Sequence, residues 1–169
     1  MMREEAVRRI ELAADEKLVE LDLLGLELEE LPLEIAKCTQ LETSLLGGSS
    51  AGKTNKLTKF PAAVLQLTNL KILWLGGNQI TFIPEAIGQL SNLTQLRLNR
   101  NKITSIPEAL GQLSNLTLLY LSSNKITSIP KALGQLSNLD WLNLAGNKIT
   151  EIPQALRQLP NLRIFEGTE

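Results

Sequence analysis

An α/β solenoid, coiled once per repeat around a single parallel β-sheet, is the fold the sequence predicts, and three observations predict it. Residues 101–116 (NKITSIPEALGQLSNL) and 124–139 (NKITSIPKALGQLSNL) differ at one position, Glu108 against Lys131, at an offset of 23 residues. The same offset carries Leu70, Leu93, Leu116, Leu139 and Leu162, followed by the pairs Leu73/Leu75, Leu96/Leu98, Leu119/Leu121 and Leu142/Leu144. Asn55, Asn78, Asn101, Asn124 and Asn147 hold the ninth place of successive units. Self-similarity at such a period marks a repeat architecture, in which stacked units bury an apolar face that none could bury alone.

The elements follow in order. Residues 1–17 read as an amphipathic helix, with Met2, Ala6, Ile10 and Ala13/Ala14 on one face, set to cover the apolar cross-section at the solenoid's end. Residues 18–169 divide into six repeats and a partial seventh. The fourth and sixth positions of LxxLxL alternate with exposed residues at period two, which is a strand buried on one face. Strands that recur in one direction must pair in parallel. Asn at position nine stands where the chain turns away from the sheet, and its amide can satisfy backbone groups that the bend leaves open. The return segment, IPEALGQL, begins with Pro and spaces Ala and two Leu for one short buried helical face.

Four irregularities are visible. The first repeat carries Leu26 where Asn is expected. The second, Leu41 to Asn69, has 29 residues, with Ser44 in the fourth position and six extra residues, 49–54, before Asn55. The last opens at Leu162, which puts Ile164 third, Phe165 at the inward fourth position and Glu166 fifth. Thr58, Thr81, Thr104, Thr127 and Thr150 recur at position twelve and are expected to bond along the stack, while Cys38 takes an apolar position of a return segment.

Composition removes several chemistries. There is no His and one Cys among 169 residues, so no Ser-His-Asp triad, imidazole base, zinc cluster or disulfide framework can be built. An enzyme would have to work with carboxylates, Lys, Ser or Thr, and the paired Glu29/Glu30 lie on an outer turn with no cleft to raise a pKa, so no catalytic residue, no metal and no cofactor is expected. No apolar run approaches a membrane span, and the charged start lacks the apolar stretch of a signal peptide, so a cytoplasmic location is expected. Charge is uneven: residues 1–42 hold twelve acids and five bases, a net −7, and residues 43–169 hold six acids and twelve bases, a net +6.

LxxLxLxxNxIxxIPxxLxxLxx resembles the 23-residue, bacterial type of leucine-rich repeat over residues 18–169. The opening, EEAVRRIELAADEKLVELDLLGLELEELP, is similar to the start of repeat domains in bacterial Roco-type proteins. The resemblance implies a right-handed solenoid bent into a short horseshoe arc, with the parallel β-sheet on the concave face and short helices or turns on the convex face, serving protein recognition. A Roco protein would continue into a GTPase module, which these residues do not contain.

Within the second repeat, Gly47 to Thr54 (GGSSAGKT) fits GxxxxGK[ST], with Gly47, Gly52, Lys53 and Thr54 in the places of a phosphate-binding loop. Such a loop needs a helix directly behind it, but here Asn55-Lys56-Leu57 enters the repeat's own turn, and neither a second Asp-ended strand nor a base pocket can be found. The insertion reads as a Gly/Ser bulge, with weak capture of a phosphate or sulfate as the intermediate case.

Partner recognition is sought at the outward strand positions. Position five holds Trp74, Arg97, Tyr120 and Asn143; position three holds Gln95 and Trp141; Asn99 and Arg100 follow at seven and eight. Both Trp and the one Tyr of the chain therefore fall on the concave face. Trp, Tyr and Arg dominate interface hot spots, so a protein or peptide partner is expected at Trp74, Arg97, Tyr120 and Trp141. The plainer alternative is that Arg97 merely stacks on its neighbours, contributing about 0.5–1 kcal/mol to the sheet. Lys102, Lys125 and Lys148 form a stripe at position ten without interleaved aromatics, so no nucleic acid and no membrane is expected. Ile164 and Phe165, near the uncapped C-terminal edge, suggest self-association there.

Overall fold

The computed structural model describes residues 2–48 and 54–167. A 14-residue helix, α1 (Met2–Asp15), leads into seven three-residue strands: β1 (Glu20–Asp22), β2 (Thr43–Leu45), β3 (Ile72–Trp74), β4 (Gln95–Arg97), β5 (Leu118–Tyr120), β6 (Trp141–Asn143) and β7 (Arg163–Phe165). They form one sheet in the order β1-β2-β3-β4-β5-β6-β7, every pair parallel. The expected solenoid, with its sheet on the concave side, is the fold. In β2 to β6 the central residue is buried and its neighbours half-buried, as the period of two requires.

The return segments make 3₁₀ turns behind Pro32, Pro61, Pro84, Pro107 and Pro130, and one short α-helix, α2 (Gln154–Arg157), behind Pro153. A 3₁₀ turn rises about 2.0 Å per residue against 1.5 Å in an α-helix, so five residues reach further along the convex side. Each turn aims a few apolar residues inward: Ile87 and Leu90, Leu110 and Leu113, Leu133 and Leu136 are inaccessible to solvent.

The Asn ladder is complete from Asn55 to Asn147. In Asn101, Oδ1 accepts from the Ile80 N–H at 2.9 Å, and Nδ2 donates to the carbonyls of Leu75 (2.9 Å) and Leu98 (3.0 Å). Asn78 and Asn124 repeat the pattern one coil to either side. A second ladder, absent from the sequence expectations, runs at position 23: Asn69, Asn92, Asn115 and Asn138 donate to the carbonyls of Thr39, Thr68, Ser91 and Ser114. The position-twelve threonines are exposed and make no side-chain hydrogen bond among the described residues. Thr94 and Thr117, at position two, bond along the stack instead.

At the N-terminal end, Ala6, Ile10 and Ala13 of α1 are fully buried, whereas Met2 is exposed. Gln40 ties the helix end down through the carbonyls of Ala13 and Leu18, both at 3.0 Å. Cys38 is buried, with Sγ 3.4 Å from the Ile10 carbonyl, and burial pushes its thiol pKa up. Ser44 is also fully buried, and its hydroxyl has no partner among the described residues.

The last strand corrects the expected register. Leu142 pairs with Ile164 and Asn143 with Phe165, so the seventh unit enters the sheet one residue early. Ile164 faces the core, and Phe165, expected inward, is 46% exposed on the concave face beside Asn143, with Glu166 beyond the strand. The slip falls in the one return segment among the described residues that winds as an α-helix, α2, and that carries behind it a proline, Pro160. Ser114 and Ser137 stand at its place in earlier coils and donate N–H to the carbonyls of Gln112 and Gln135, both at 2.9 Å. Proline has no N–H to give.

Candidate functional site

Strand pairing converts the position-five residues into a row across the concave face. Leu45 stands beside Trp74, Trp74 beside Arg97, Arg97 beside Tyr120, Tyr120 beside Asn143 and Asn143 beside Phe165. A second row runs through Ile72, Gln95, Leu118, Trp141 and Arg163. Neighbours in each row are about 4.8 Å apart, the spacing of parallel strands. Trp74, Arg97, Tyr120, Trp141, Gln95 and Asn143 are therefore brought onto one surface, and the register slip adds Phe165 and Arg163.

The centre of the surface is a sandwich. The Arg97 guanidinium carbon lies 4.1 Å from the centroid of the Trp74 ring and 5.1 Å from that of Tyr120. Both distances are within the reach of cation–π attraction, and two rings covering one cation strip water from both of its faces. Arg97 Nε and the indole nitrogens of Trp74 and Trp141 are shut off from solvent and have no hydrogen-bond partner among the described residues. Three orphaned donors in one patch are unusual, because each such group costs about 1–3 kcal/mol.

The rim differs from residue to residue. Asn143 is partly committed to its own turn, where Oδ1 accepts from the Ala145 N–H at 3.1 Å. The Asn99 side chain lies across Gly76; a Cβ there would meet Asn99 Oδ1 at 2.7 Å. Gly47 packs as closely on the next coil, 2.6 Å from the Gly76 carbonyl by the same measure, so its glycine serves backbone approach between coils. Position eight takes left-handed backbone. Gly25, Gly77 and Gly146 supply it at φ near 69°, whereas Arg100 and Ser123 adopt it at 55° and 54° with side chains attached. Below the rows, a groove of about 500 Å³ runs along the edge where the strands begin, lined by Asn92, Thr94, Asn115, Thr117 and Asp140 among others.

Of the phosphate-loop residues, Gly52 and Lys53 lie outside the described residues. Thr54 sits against Gly48, and the chain then passes into Asn55, whose side chain holds the ladder through the carbonyls of Leu23 and Leu46, both at 2.9 Å. Residues 54–61 contain no helix, so no helix N-terminus follows the GKT sequence. Among the described residues no group of His, Cys, Asp or Glu could hold a metal ion, and no helix is long and apolar enough to cross a membrane.

A family model described as a leucine-rich repeat region matches residues 61–168. The chain is a leucine-rich-repeat protein. Its solved structural neighbours include the leucine-rich-repeat ectodomain of the plant receptor kinase GASSHO1/SCHENGEN3 from Arabidopsis thaliana, in complex with CASPARIAN STRIP INTEGRITY FACTOR 2, at 29% identity and a TM-score of 0.71. That match covers 81% of this chain and 16% of the ectodomain. An internalin (inlF) from Listeria monocytogenes matches at 29% identity and a TM-score of 0.67, over 80% of this chain and 37% of the internalin. The ectodomain of the receptor kinase SOBIR1 from Arabidopsis thaliana matches at 31% identity and a TM-score of 0.57, over 71% of each chain. This leucine-rich-repeat chain thus spans about a sixth of the first neighbour and under two-fifths of the second. No curated protein sequence matches it. Leucine-rich-repeat folds commonly mediate protein–protein interaction.

Proposed function

We propose that the protein is a non-catalytic scaffold that binds a protein or peptide on its concave face, through Trp74, Arg97, Tyr120 and Trp141, with Gln95, Asn99, Arg100 and Asn143 around them. One observation carries the reading: both tryptophans and the tyrosine of an aromatic-poor chain stand on the outward side of one rigid sheet, two of them enclosing an arginine. Half-exposed aromatic groups on a surface cost solubility, and Trp, Tyr and Arg are the side chains that carry most binding energy at protein interfaces. The two ectodomains and the internalin supply a family precedent, one of them in complex with its factor. The Roco-like opening segment supports a cytoplasmic setting in which the scaffold serves a larger assembly.

The test is a variant with Trp74, Arg97, Tyr120 and Trp141 all replaced by alanine. Its circular dichroism should match that of the wild type, since the backbone ladders and the aliphatic core are untouched, and it should lose a partner that the wild-type protein captures. Equal capture by both proteins rejects the concave face as the binding surface.

A further inference from the structure

Three observations bear on what the sandwich would hold. The first is charge. On strands β3 to β7, positions three, five, seven and eight carry Arg97, Arg100 and Arg163 and no acid, whereas the acids of the sheet, Glu20 and Asp22, lie on β1 at the far end. The second is the state of Arg97. Among the described residues its side chain makes no ion pair and no hydrogen bond, and the two rings are what it packs against. Its Nε is closed off from solvent, whereas its two terminal nitrogens are not. The third is apolar flanking. Along the row, Leu45 lies beyond Trp74, and Leu118 and Trp141 lie beside Tyr120.

We infer that, within the concave-face reading above on which this rests, the ligand is an extended protein segment bearing one acidic side chain that docks end-on against Arg97, flanked on both sides by apolar side chains that pack on Trp74 and on Tyr120/Trp141. A guanidinium stacked between two rings spends its faces on the aromatics and keeps its in-plane donors for a planar acceptor, and a carboxylate matches that fork with two parallel N–H···O bonds. The rings also lower the local dielectric, which strengthens a charge pair formed between them and raises the cost of leaving the arginine unpaired. The distance from Trp74 to Trp141 spans three strand spacings, about 14 Å, which roughly four or five extended residues cover. The absence of acids from β3 to β7 leaves a carboxylate unopposed there, and the same field disfavours a lysine.

The experiment uses the full chain and synthetic pools of nine-residue peptides, apolar on both sides of a central residue that is Asp, Glu, Asn, Gln, Lys or phosphoserine, with the intrinsic fluorescence of Trp74 and Trp141 as the binding readout. Asp or Glu peptides should bind at least tenfold more tightly than their Asn or Gln counterparts. Arg97→Gln should abolish that preference, and Arg97→Glu should transfer it to Lys peptides; circular dichroism checks that both variants fold. Equal binding of acids and amides by a surface that Trp74→Ala weakens overturns the acidic ligand while leaving the concave-face reading standing. Preference for phosphoserine over Asp and Glu overturns it in favour of a phosphopeptide. No binding by any pool overturns both readings.

Discussion

The guanidinium of Arg97 lies closer to Trp74, at 4.1 Å, than to Tyr120, at 5.1 Å, so the indole is its principal wall. That asymmetry fits ring chemistry, since Trp is the strongest cation–π partner. A double-mutant cycle of Arg97→Met and Trp74→Ala, followed by urea denaturation, should give a coupling energy of about 0.5–1 kcal/mol. A coupling of zero would mean the two side chains are mere neighbours.

The Asn ladder makes a larger prediction. Asn101 is 8% exposed, and its loss strands the Ile80 N–H in the interior and takes one of two amide donors from the carbonyls of Leu75 and Leu98, which Asn78 and Asn124 still serve. Asn101→Ala should therefore cost about 1–3 kcal/mol. Asn147 makes the same set of bonds, but it is half-buried, so water can replace them. Asn147→Ala should cost clearly less. Urea midpoints for the two variants decide the order, and equal losses would show that burial does not set the ladder's worth.

The inward side of this fold is legible in its sequence because it obeys a strict period. Leu73, Leu96, Leu119 and Leu142 could occupy no other face of a strand that alternates. Arg97 between Trp74 and Tyr120 was legible for the same reason, as parallel strands in register place fifth positions side by side. Phe165 was misread because counting by 23 assumes that each coil closes alike, whereas the last return segment winds as the α-helix α2 and carries Pro160. The second ladder was open to view in the recurring Asn69, Asn92, Asn115 and Asn138. The position-twelve threonines share that periodicity, yet among the described residues their side chains make no hydrogen bond, so recurrence alone does not tell a ladder from a solvated stripe. The orphaned donors of Trp74, Arg97 and Trp141 depend on rotamers, which periodicity does not encode.

Ser44 occupies the inward fourth position that Leu holds in the neighbouring strands, and its buried hydroxyl has no partner among the described residues. Removing an unsatisfied polar group recovers about 1–3 kcal/mol. Ser44→Ala deletes one oxygen without adding volume, and should raise stability by about 1 kcal/mol or more in thermal or urea unfolding. A neutral or destabilising result would mean that the hydroxyl is satisfied.

Arg100 and Ser123 hold left-handed backbone at the position where three other coils use glycine. A side chain in that region costs about 1–2 kcal/mol, partly offset in glycine by greater freedom of the unfolded chain. Ser123→Gly and Arg100→Gly should each relieve roughly 0.5–1 kcal/mol of backbone cost, less what the interaction of the removed side chain contributes, for a small net gain in stability. The two should separate in binding. If Arg100 belongs to the recognition surface, its glycine variant gains stability and loses affinity, whereas the Ser123 variant gains stability alone. Unchanged affinity in Arg100→Gly would remove that residue from the surface.

Acid should loosen the N-terminal cap before it reaches the coils. Glu5 accepts hydrogen bonds from Arg8 Nε (2.9 Å) and Nη2 (2.8 Å) and from Arg9 Nε (2.7 Å), and these partners, Arg8 foremost, lower its pKa from 4.5 to about 2. Arg9 in turn donates to the Asp22 carbonyl at 3.0 Å, which ties α1 to the end of β1. Because the folded-state value is depressed, the contribution is fully present above pH 4.5 and is lost as the pH falls toward about 2. Glu5 stands at a solvated surface, so the effect is modest and weakens with salt. The stability difference between wild type and Glu5→Gln, read from urea midpoints, should therefore shrink across that window and vanish at its lower end. A difference that stays constant from pH 4.5 down to about 2 would show that the Glu5 carboxylate takes no part in holding the cap.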